Sequence, residues 1–398
     1  MKRRAVKHDD SSPDTKDRRA ASPGKKEGTQ SRRWLKKGLL AAVAVCILVP
    51  VTYKIIPALL QDIIYTYRLS VPFFVDLSQP ADLSLNHTIN MYLTSEEGIS
   101  LGVWHTVPES RWKEAQGKDL MWYQNTLNDG SPIFIYLHGN TGTRAAPHRV
   151  GVAKLLSALG YHVVVPDYRG FGDSTGEPTE SGLTTDALYV YNWVKARSGD
   201  SLVVIWGHSL GTGVTSNTAV KLLEQGVVFD GVILQGAFSG VLHPIPFNIF
   251  IWYYWTFPGI KNLFSFLTEE KKVVFPTEQN VRKMKSPILF LHSEDDHLVS
   301  IQTAREIYEF AAKAQSKDRV KFVTFDGSLG YLHNGLYRDP KLPGIIRVYW
   351  KVNLRPDSSL LQPLTGPVPG LLCVKLHLSS HQLLPATLTL LKKIIPTA

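Results

Sequence analysis

One stretch constrains the fold more than any other part of the chain. Residues 203–206 are apolar and prone to form a strand, and they lead into the pentapeptide GHSLG at 207–211. Residues 212–223 are predicted to form a helix. A strand, a sharp turn and a helix with a serine at the apex form the pattern of a nucleophile elbow. The sequence therefore predicts that Ser209 is a nucleophile above the edge of a sheet.

Such a turn needs both glycines of the pentapeptide. A serine on so tight a turn has strained backbone angles and close neighbours, so a side chain at Gly207 or Gly211 would clash. The turn also leaves Ser209 at the start of a helix, where the backbone N–H of Leu210 can donate to an oxyanion.

A serine nucleophile needs a base, and the base needs an orienting carboxylate. After an elbow of this type the chain order is serine, acid, histidine, each following a successive strand. His333 is the only histidine between His297 and the C-terminal tail, and it follows the strand predicted at 320–325, so it is the predicted base. A histidine in a loop can also be an ordinary surface residue.

The predicted acid lies in the loop at 292–299, where three acidic residues compete. Asp296 is preferred because it stands just before an apolar pair that re-enters the fold, and Asp295 is the second candidate. The second oxyanion donor is expected from the loop LHGNTG at 137–142. There Gly139 allows close approach, and the N–H of Asn140 is the predicted donor.

Other polar residues near these loops have less specific roles. His138 is expected to brace its loop. Arg169 and Asp173 are expected to bind backbone and brace the loop at 167–174 rather than to contact substrate. Residues Arg144, His148 and Arg149 leave two alternatives open. They form either the solvated start of a basic helix or a site for the phosphate or carboxylate of a head group.

Strands and helices alternate along the body of the chain, which predicts an α/β fold with a mostly parallel sheet and helices on both faces. Predicted strands are 89–94, 100–107, 133–137, 162–166, 202–206, 231–234, 288–291 and 320–325, and predicted helices are 149–159, 184–197, 212–223 and 301–314. Aromatic residues crowd residues 238–281, which predicts a lid over an apolar ligand, an ordinary packed subdomain being the alternative. No spacing of metal ligands is visible, and the predicted chemistry requires neither a metal nor a cofactor.

Basic charge is concentrated at the N-terminus. Residues 1–37 hold 13 Lys/Arg and 5 Asp/Glu, which leaves 31 and 29 for the remainder. A nearly neutral body argues against a nucleic-acid partner. The apolar run at 38–60 follows basic residues directly, so it predicts a single transmembrane helix with the N-terminus cytosolic and the body on the lumenal or outer side. A cleaved signal peptide and a buried helix are less favoured alternatives.

The chain is accordingly divided into five predicted parts. They are a disordered basic tail (1–33), the transmembrane helix (34–60), a juxtamembrane segment (61–88), a catalytic domain (89–350, with the lid at 238–281) and a C-terminal tail without periodicity (351–398). The sequon at Asn86 predicts N-glycosylation if the body is lumenal. The two cysteines, Cys46 and Cys373, give no information on redox compartment.

The chain resembles the α/β-hydrolase superfamily and, within it, the membrane-anchored lysophosphatidylserine and monoacylglycerol lipases. The similar segments are FVDLS at 74–78, LGVWHTVP at 101–108, YLHGN at 136–140, 167–176, 206–214 and EDD at 294–296. The resemblance implies an endoplasmic-reticulum protein with a lumenal catalytic domain. It implies hydrolysis of lysophosphatidylserine, oxidised phosphatidylserine and monoacylglycerols such as 2-arachidonoylglycerol. It also implies the triad Ser209, Asp296 and His333 and a glycosylated Asn86.

The sequence departs from that family at three places. The acid loop usually continues Pro-Val-Val-Pro but has HLVS at 297–300, and Leu332 replaces an arginine before the base. The family's last helix begins near residues 343–347 and then gives way to different sequence.

Two other functional hypotheses remain for the chain. One is a different serine hydrolase, such as a thioesterase or peptidase, and the other is a non-catalytic interaction module with the same fold.

Overall fold

The sheet lies in the second of two units into which the chain divides. The units are Met1–Ala58 and Leu59–Ala398. The computed structural model describes residues 34, 36–40, 43, 65–238, 240, 275–316 and 318–353. The predicted disordered tail, the body of the predicted lid and most of the C-terminal tail therefore lie outside the described residues.

Eight strands form one sheet in the order β1-β2-β4-β3-β5-β6-β7-β8. They are β1 (Thr88–Glu96), β2 (Ile99–Thr106), β3 (Ile133–Leu137), β4 (His162–Pro166), β5 (Val203–His208), β6 (Gly231–Gln235), β7 (Ile288–Ser293) and β8 (Val320–Phe325). The hairpin β1–β2 is antiparallel and joins β4 in antiparallel register, whereas β3 to β8 are parallel. The predicted mostly parallel α/β sheet is confirmed.

Helices cover both faces of this sheet. They are α1 (Leu120–Thr126), α2 (Pro147–Ala158), α3 (Glu180–Lys195), α4 (Leu210–Glu224), α5 (Thr277–Lys283), α6 (Ile301–Ala314) and α7 (Leu342–Asn353). Capping side chains set some of their starts. The Thr179 side chain accepts a hydrogen bond from the N–H of Gly182, so α3 begins four residues before its predicted start. The last helix, α7, extends three residues into the segment assigned to the tail.

Alternation along β3 separates the core into two layers. Ile133, Ile135 and Leu137 belong to one apolar cluster, with residues of α3 and α4. Phe134 and Tyr136 belong to the other, with residues of α2 and α7. Side chains alternate between the faces of a strand, so a continuous apolar run is what a strand buried on both faces requires.

The membrane prediction finds no support in the described part of the chain. Among those residues, no helix has both the length and the apolarity needed to cross a bilayer. Most of the apolar run at 38–60, on which the prediction was based, lies outside them.

Candidate active site

Ser209 stands at the turn between β5 and α4 with its backbone in the left-handed region. Its φ is 52° and its ψ is −118°. Such a conformation costs a non-glycine residue on the order of 1–3 kcal/mol and persists only where the surroundings enforce it. The Ser209 N–H donates to the carbonyl of Gln235 at 2.9 Å, and its own carbonyl accepts from the N–H of Thr212 at 2.8 Å.

The clash predicted for side chains at both elbow glycines is confirmed. A Cβ on Gly207 would meet the carbonyl oxygen of Gly211 and lie 2.5 Å from Thr215 Oγ1. A Cβ on Gly211 would meet the carbonyl oxygen of Leu137, the last residue of β3. The turn is therefore tight because its glycines pack directly against backbone.

Asp296 and His333 are joined by a short hydrogen bond. His333 Nδ1 donates to Asp296 Oδ2 at 2.7 Å, and both side chains are buried. The other carboxylate oxygen, Oδ1, accepts from the backbone N–H groups of Leu298 and Val299 at 2.9 and 3.0 Å. Burial raises the pKa of Asp296, but the hydrogen bond and charge of His333 and the two N–H groups outweigh it, so this pKa lies below its ordinary value.

Asp295, the second candidate for the acid, has a different partner. Its Oδ1 accepts from the Ser293 hydroxyl and from the N–H of Leu332 at 3.0 Å. Leu332 has a φ of 52°, an unfavourable angle for leucine. Asp295 thus holds the backbone immediately before the base, and the carboxylate that orients the imidazole belongs to Asp296.

The segment between β8 and α7 that carries His333 (residues 326–341, the base loop) meets the elbow through His208, the residue before the serine. His208 Nε2 donates to the carbonyl oxygen of His333 at 3.1 Å, and the centroids of the two imidazole rings are 4.8 Å apart. Gly236 follows Gln235, whose carbonyl accepts the Ser209 N–H. A Cβ on Gly236 would lie 3.1 Å from His333 Cε1. The structure therefore brings the predicted nucleophile, base and acid to one place at the C-terminal edge of the sheet.

The predicted oxyanion loop lies against the serine. A Cβ on Gly139 would be 3.1 Å from Ser209 Cβ, which explains the need for glycine there. Leu210 is the first residue of α4, so its N–H lies at the positive end of the helix dipole. The donor roles of Asn140 and Leu210 stay predictions.

Arg149 organises the oxyanion loop from within the core. Its guanidinium donates to the carbonyl oxygens of Thr143, Gly139, Asn140 and Thr141 at distances between 2.6 and 3.3 Å. Nothing in the sequence indicated this role. A solvated basic helix start was one alternative considered for this residue, and it is wrong because the side chain is buried.

Arg144 is likewise not available to solvent or to a head group. Its buried guanidinium forms 2.6 Å ion pairs with Asp167 and Asp173. The third member of the group, His148, is half-buried. Burial, followed by the charges of Arg149 and other neighbours, lowers its pKa to about 3, so it is neutral near pH 7.

The remaining loop residues brace their loops as predicted, but the binding to backbone predicted for Arg169 and Asp173 is wrong, because both side chains pair with other side chains. His138 is buried, with Nδ1 at 2.8 Å from the carbonyl oxygen of Gly139 and Nε2 at 3.2 Å from Asp167. Arg169 pairs with Asp186 at 2.7 Å and with Glu96 at 2.6 Å. In the described part of the chain, no group of three or more His, Cys, Asp or Glu residues is placed to hold a metal ion.

Sequence comparison gives matches over most of the chain. The alpha/beta hydrolase fold family matches residues 132–257. Lysophosphatidylserine lipase ABHD12 of Macaca fascicularis is 44% identical over 336 residues, which cover 83% of this chain and 84% of that protein. The protein of the same name from Danio rerio is 42% identical and covers 81% and 86%. Protein ABHD12B of Homo sapiens is 45% identical and covers 71% and 78%.

Solved structures show the same fold at low sequence identity. An α/β-hydrolase from Vibrio vulnificus has a TM-score of 0.51 at 18% identity and covers 73% of this chain and 90% of its own. The esterase Pf2001 of Pyrococcus furiosus has a TM-score of 0.50 at 19% identity and covers 71% and 96%. These two structures support the fold. The sequence relatives show that the chain belongs to the ABHD12 family of α/β-hydrolases and is a serine hydrolase of carboxylic esters.

Proposed function

We propose that the chain is a membrane-anchored serine lipase that hydrolyses the acyl ester of lysophosphatidylserine through an acyl-enzyme on Ser209. The observation that carries the proposal is the 2.7 Å hydrogen bond between Asp296 and His333, next to a serine held at positive φ. That arrangement supplies an oriented base at a strained elbow, as acyl transfer requires.

The proposed reaction has two halves. Ser209 Oγ attacks the acyl carbonyl carbon while His333 Nε2 takes the hydroxyl proton, because Nδ1 is engaged by Asp296. The N–H groups of Asn140 and Leu210 hold the tetrahedral oxyanion. Collapse breaks the ester bond, and His333 returns the proton to the departing glycerol oxygen. Water, deprotonated by His333, then attacks the acyl-enzyme and releases a fatty acid and free Ser209.

The substrate class rests on the relatives and on the resemblance. Relatives named lysophosphatidylserine lipase are 42–44% identical over most of the chain. The proposal extends to oxidised phosphatidylserine and to monoacylglycerols such as 2-arachidonoylglycerol, since these share an acyl ester on glycerol. It includes a single membrane span at 34–60, a lumenal catalytic domain in the endoplasmic reticulum and a glycan on Asn86, whose side chain is exposed just before β1.

Labelling with a fluorophosphonate probe tests the nucleophile, and a substrate panel tests the class. We expect the full chain to be labelled, Ser209→Ala to lose labelling, and the control Ser131→Ala, at the opposite edge of the sheet, to keep it. Lysophosphatidylserine should be hydrolysed faster than an acyl thioester or a peptide. Labelling that persists in Ser209→Ala would refute the nucleophile, and a preference for the thioester or peptide would refute the lipase.

A further inference from the structure

The loop at residues 68–74 exposes large apolar side chains. Leu69, Phe73 and Phe74 have relative exposures of 43%, 60% and 106%, and the two phenyl ring centroids are 6.4 Å apart. Single exposed apolar residues are ordinary, but a contiguous group of them marks an interaction surface. Arg68, at the start of the loop, is exposed as well.

Both ends of this loop are fixed to the domain. Tyr65 and Tyr67, just before it, are buried in the core, and the Tyr67 ring lies 6.3 Å from that of Phe171. After the loop, the carbonyl of Leu77 accepts a hydrogen bond from Trp104 Nε1 at 2.8 Å. The exposed aromatic residues are therefore held at a fixed place on the surface.

That place adjoins the oxyanion loop. The N–H of Gly142 donates to the carbonyl of Leu69 at 3.0 Å, and the N–H of Thr143 donates to the carbonyl of Val71 at 3.1 Å. A Cβ on Gly142 would lie 2.6 Å from the oxygen of Val71, so the two backbones are in direct contact. Only Pro72 separates Val71 from Phe73. A partner that covers Phe73 and Phe74 therefore lies beside the candidate active site.

The size and chemistry of the loop indicate what covers it. A stable protein interface buries about 800 Å² on each partner, whereas the two phenylalanine side chains offer roughly 500 Å² at most. Exposed phenylalanine and leucine side chains with a basic residue in the same segment are typical of segments that bind at membrane–water interfaces. The apolar run at 38–60 also ends only eight residues before Arg68 in the sequence.

We propose that the 68–74 loop docks on a phospholipid bilayer, with Phe73 and Phe74 in the acyl boundary, and so holds the oxyanion loop at the membrane surface. This rests on the proposed function as a membrane-anchored lipase. Docking places the entrance of the site where an acyl chain leaves the bilayer. The substrate then reaches Ser209 without crossing water.

Site-specific fluorescence on the full chain tests the docking directly. A Phe74→Cys variant, with Cys46 and Cys373 replaced by serine, is labelled with an environment-sensitive dye and reconstituted into phosphatidylcholine vesicles. We expect blue-shifted emission that spin-labelled lipids quench. The matched control is Met121→Cys, because Met121 is 61% exposed and lies in α1, at the opposite edge of the parallel strands. Quenching at position 74 no stronger than at position 121 would overturn the proposal.

A second comparison does not depend on the label. We measure hydrolysis of lysophosphatidylserine in phosphatidylcholine vesicles and of a short soluble ester. The ratio of the two rates should fall about tenfold in Phe73→Ser/Phe74→Ser and stay within about twofold in Met121→Ser. An unchanged ratio in the double variant would overturn the docking. Loss of both activities in the unmodified chain would instead refute the proposed function.

Discussion

Asp295 and Asp296 are neighbours in the sequence but have different partners in the structure. Asp296 accepts a hydrogen bond from Nδ1–H of His333, whereas Asp295 accepts one from the backbone N–H of Leu332. The carboxylate on Nδ1 fixes the imidazole tautomer that leaves Nε2 able to accept a proton. The difference between these two acids can therefore be measured as a difference in catalysis.

We expect Asp296→Asn to lower kcat on a soluble ester by about three to four orders of magnitude, because an amide stabilises the wrong tautomer. Asp295→Asn should keep more than about a tenth of the activity, since it changes only the support of the base loop. The measurement is steady-state hydrolysis of a short ester. If Asp295→Asn proved the more damaging change, the assignment of the acid would be wrong.

Single residues also show the limit of what the sequence could reveal. Ser209, Asp296 and His333 could be predicted because the chemistry expected of them imposes a chain order and a position after each strand. Arg149 could not, because its four acceptors are backbone carbonyls whose positions depend on the path of a loop. Every residue carries a backbone carbonyl, so the residue types in a sequence do not indicate which carbonyls an arginine will contact.

At the scale of elements, the sequence was most informative for short buried strands. The predicted bounds of β3 and β4 agree with the structure because each is a mainly apolar run with polar or turn residues around it. Those of β8 agree as well, although Lys321 and Thr324 interrupt its apolar residues and the strand is only partly buried. Helix α3 was placed four residues late because Thr179, its cap, lies outside the apolar pattern. Helices α1 and α5 have only seven residues each and were not predicted, because so short an element gives little periodicity.

Helix α7 offers a paired test of an element whose sequence diverges from relatives. Ile346 is fully buried among residues that include Leu336, and a Cβ on Gly344 would meet nothing within 4 Å. We expect Ile346→Ala to lower the free energy of unfolding by about 2–5 kcal/mol. Gly344→Ala should raise it by about 0.5–1 kcal/mol through helix propensity.

Urea unfolding followed by circular dichroism measures both variants of α7. Gly344→Ala serves as the control, because it adds a methyl group to the same helix without removing a contact. Equal stability of Ile346→Ala and the unmodified chain would show that α7 is not packed against the base loop.

At the scale of the whole molecule, neutral buried histidines make stability depend on pH. Burial lowers the pKa values of His105, His148, His208 and His292 below 6.5. Below pH 6.5 these histidines therefore bind protons in the unfolded chain but stay neutral in the folded chain until the pH is lower. The stability from these groups is present above that pH and is lost as the pH falls.

We expect the free energy of unfolding to fall between pH 6.5 and 5, by up to about 1.4 kcal/mol per pH unit for each such histidine. Urea titrations at pH 7, 6 and 5 measure the change. His148→Gln should lose less stability over this range, because it removes one of the contributing groups. A free energy of unfolding that rises as the pH falls would contradict the prediction.

Glycosylation of Asn86 tests the orientation of the chain relative to the membrane. If the catalytic domain is lumenal, the chain expressed in mammalian cells should run faster on a gel after endoglycosidase treatment, since Asn86 is in the chain's one sequon. Asn86→Gln should abolish that shift, and Asn128→Gln, outside any sequon, should preserve it. Absence of a shift in the unmodified chain would contradict the lumenal orientation.

The contact between Arg149 and the carbonyl of Gly139 has a consequence for the electronic state of one amide. The Gly139 carbonyl and the Asn140 N–H belong to the same peptide group, and a guanidinium lies 2.9 Å from its oxygen. A cation at the oxygen end withdraws electron density from the nitrogen end and makes that hydrogen more electropositive. The buried Arg149 cation thereby polarises, through one conjugated peptide group, the Asn140 N–H that is predicted to donate to the oxyanion.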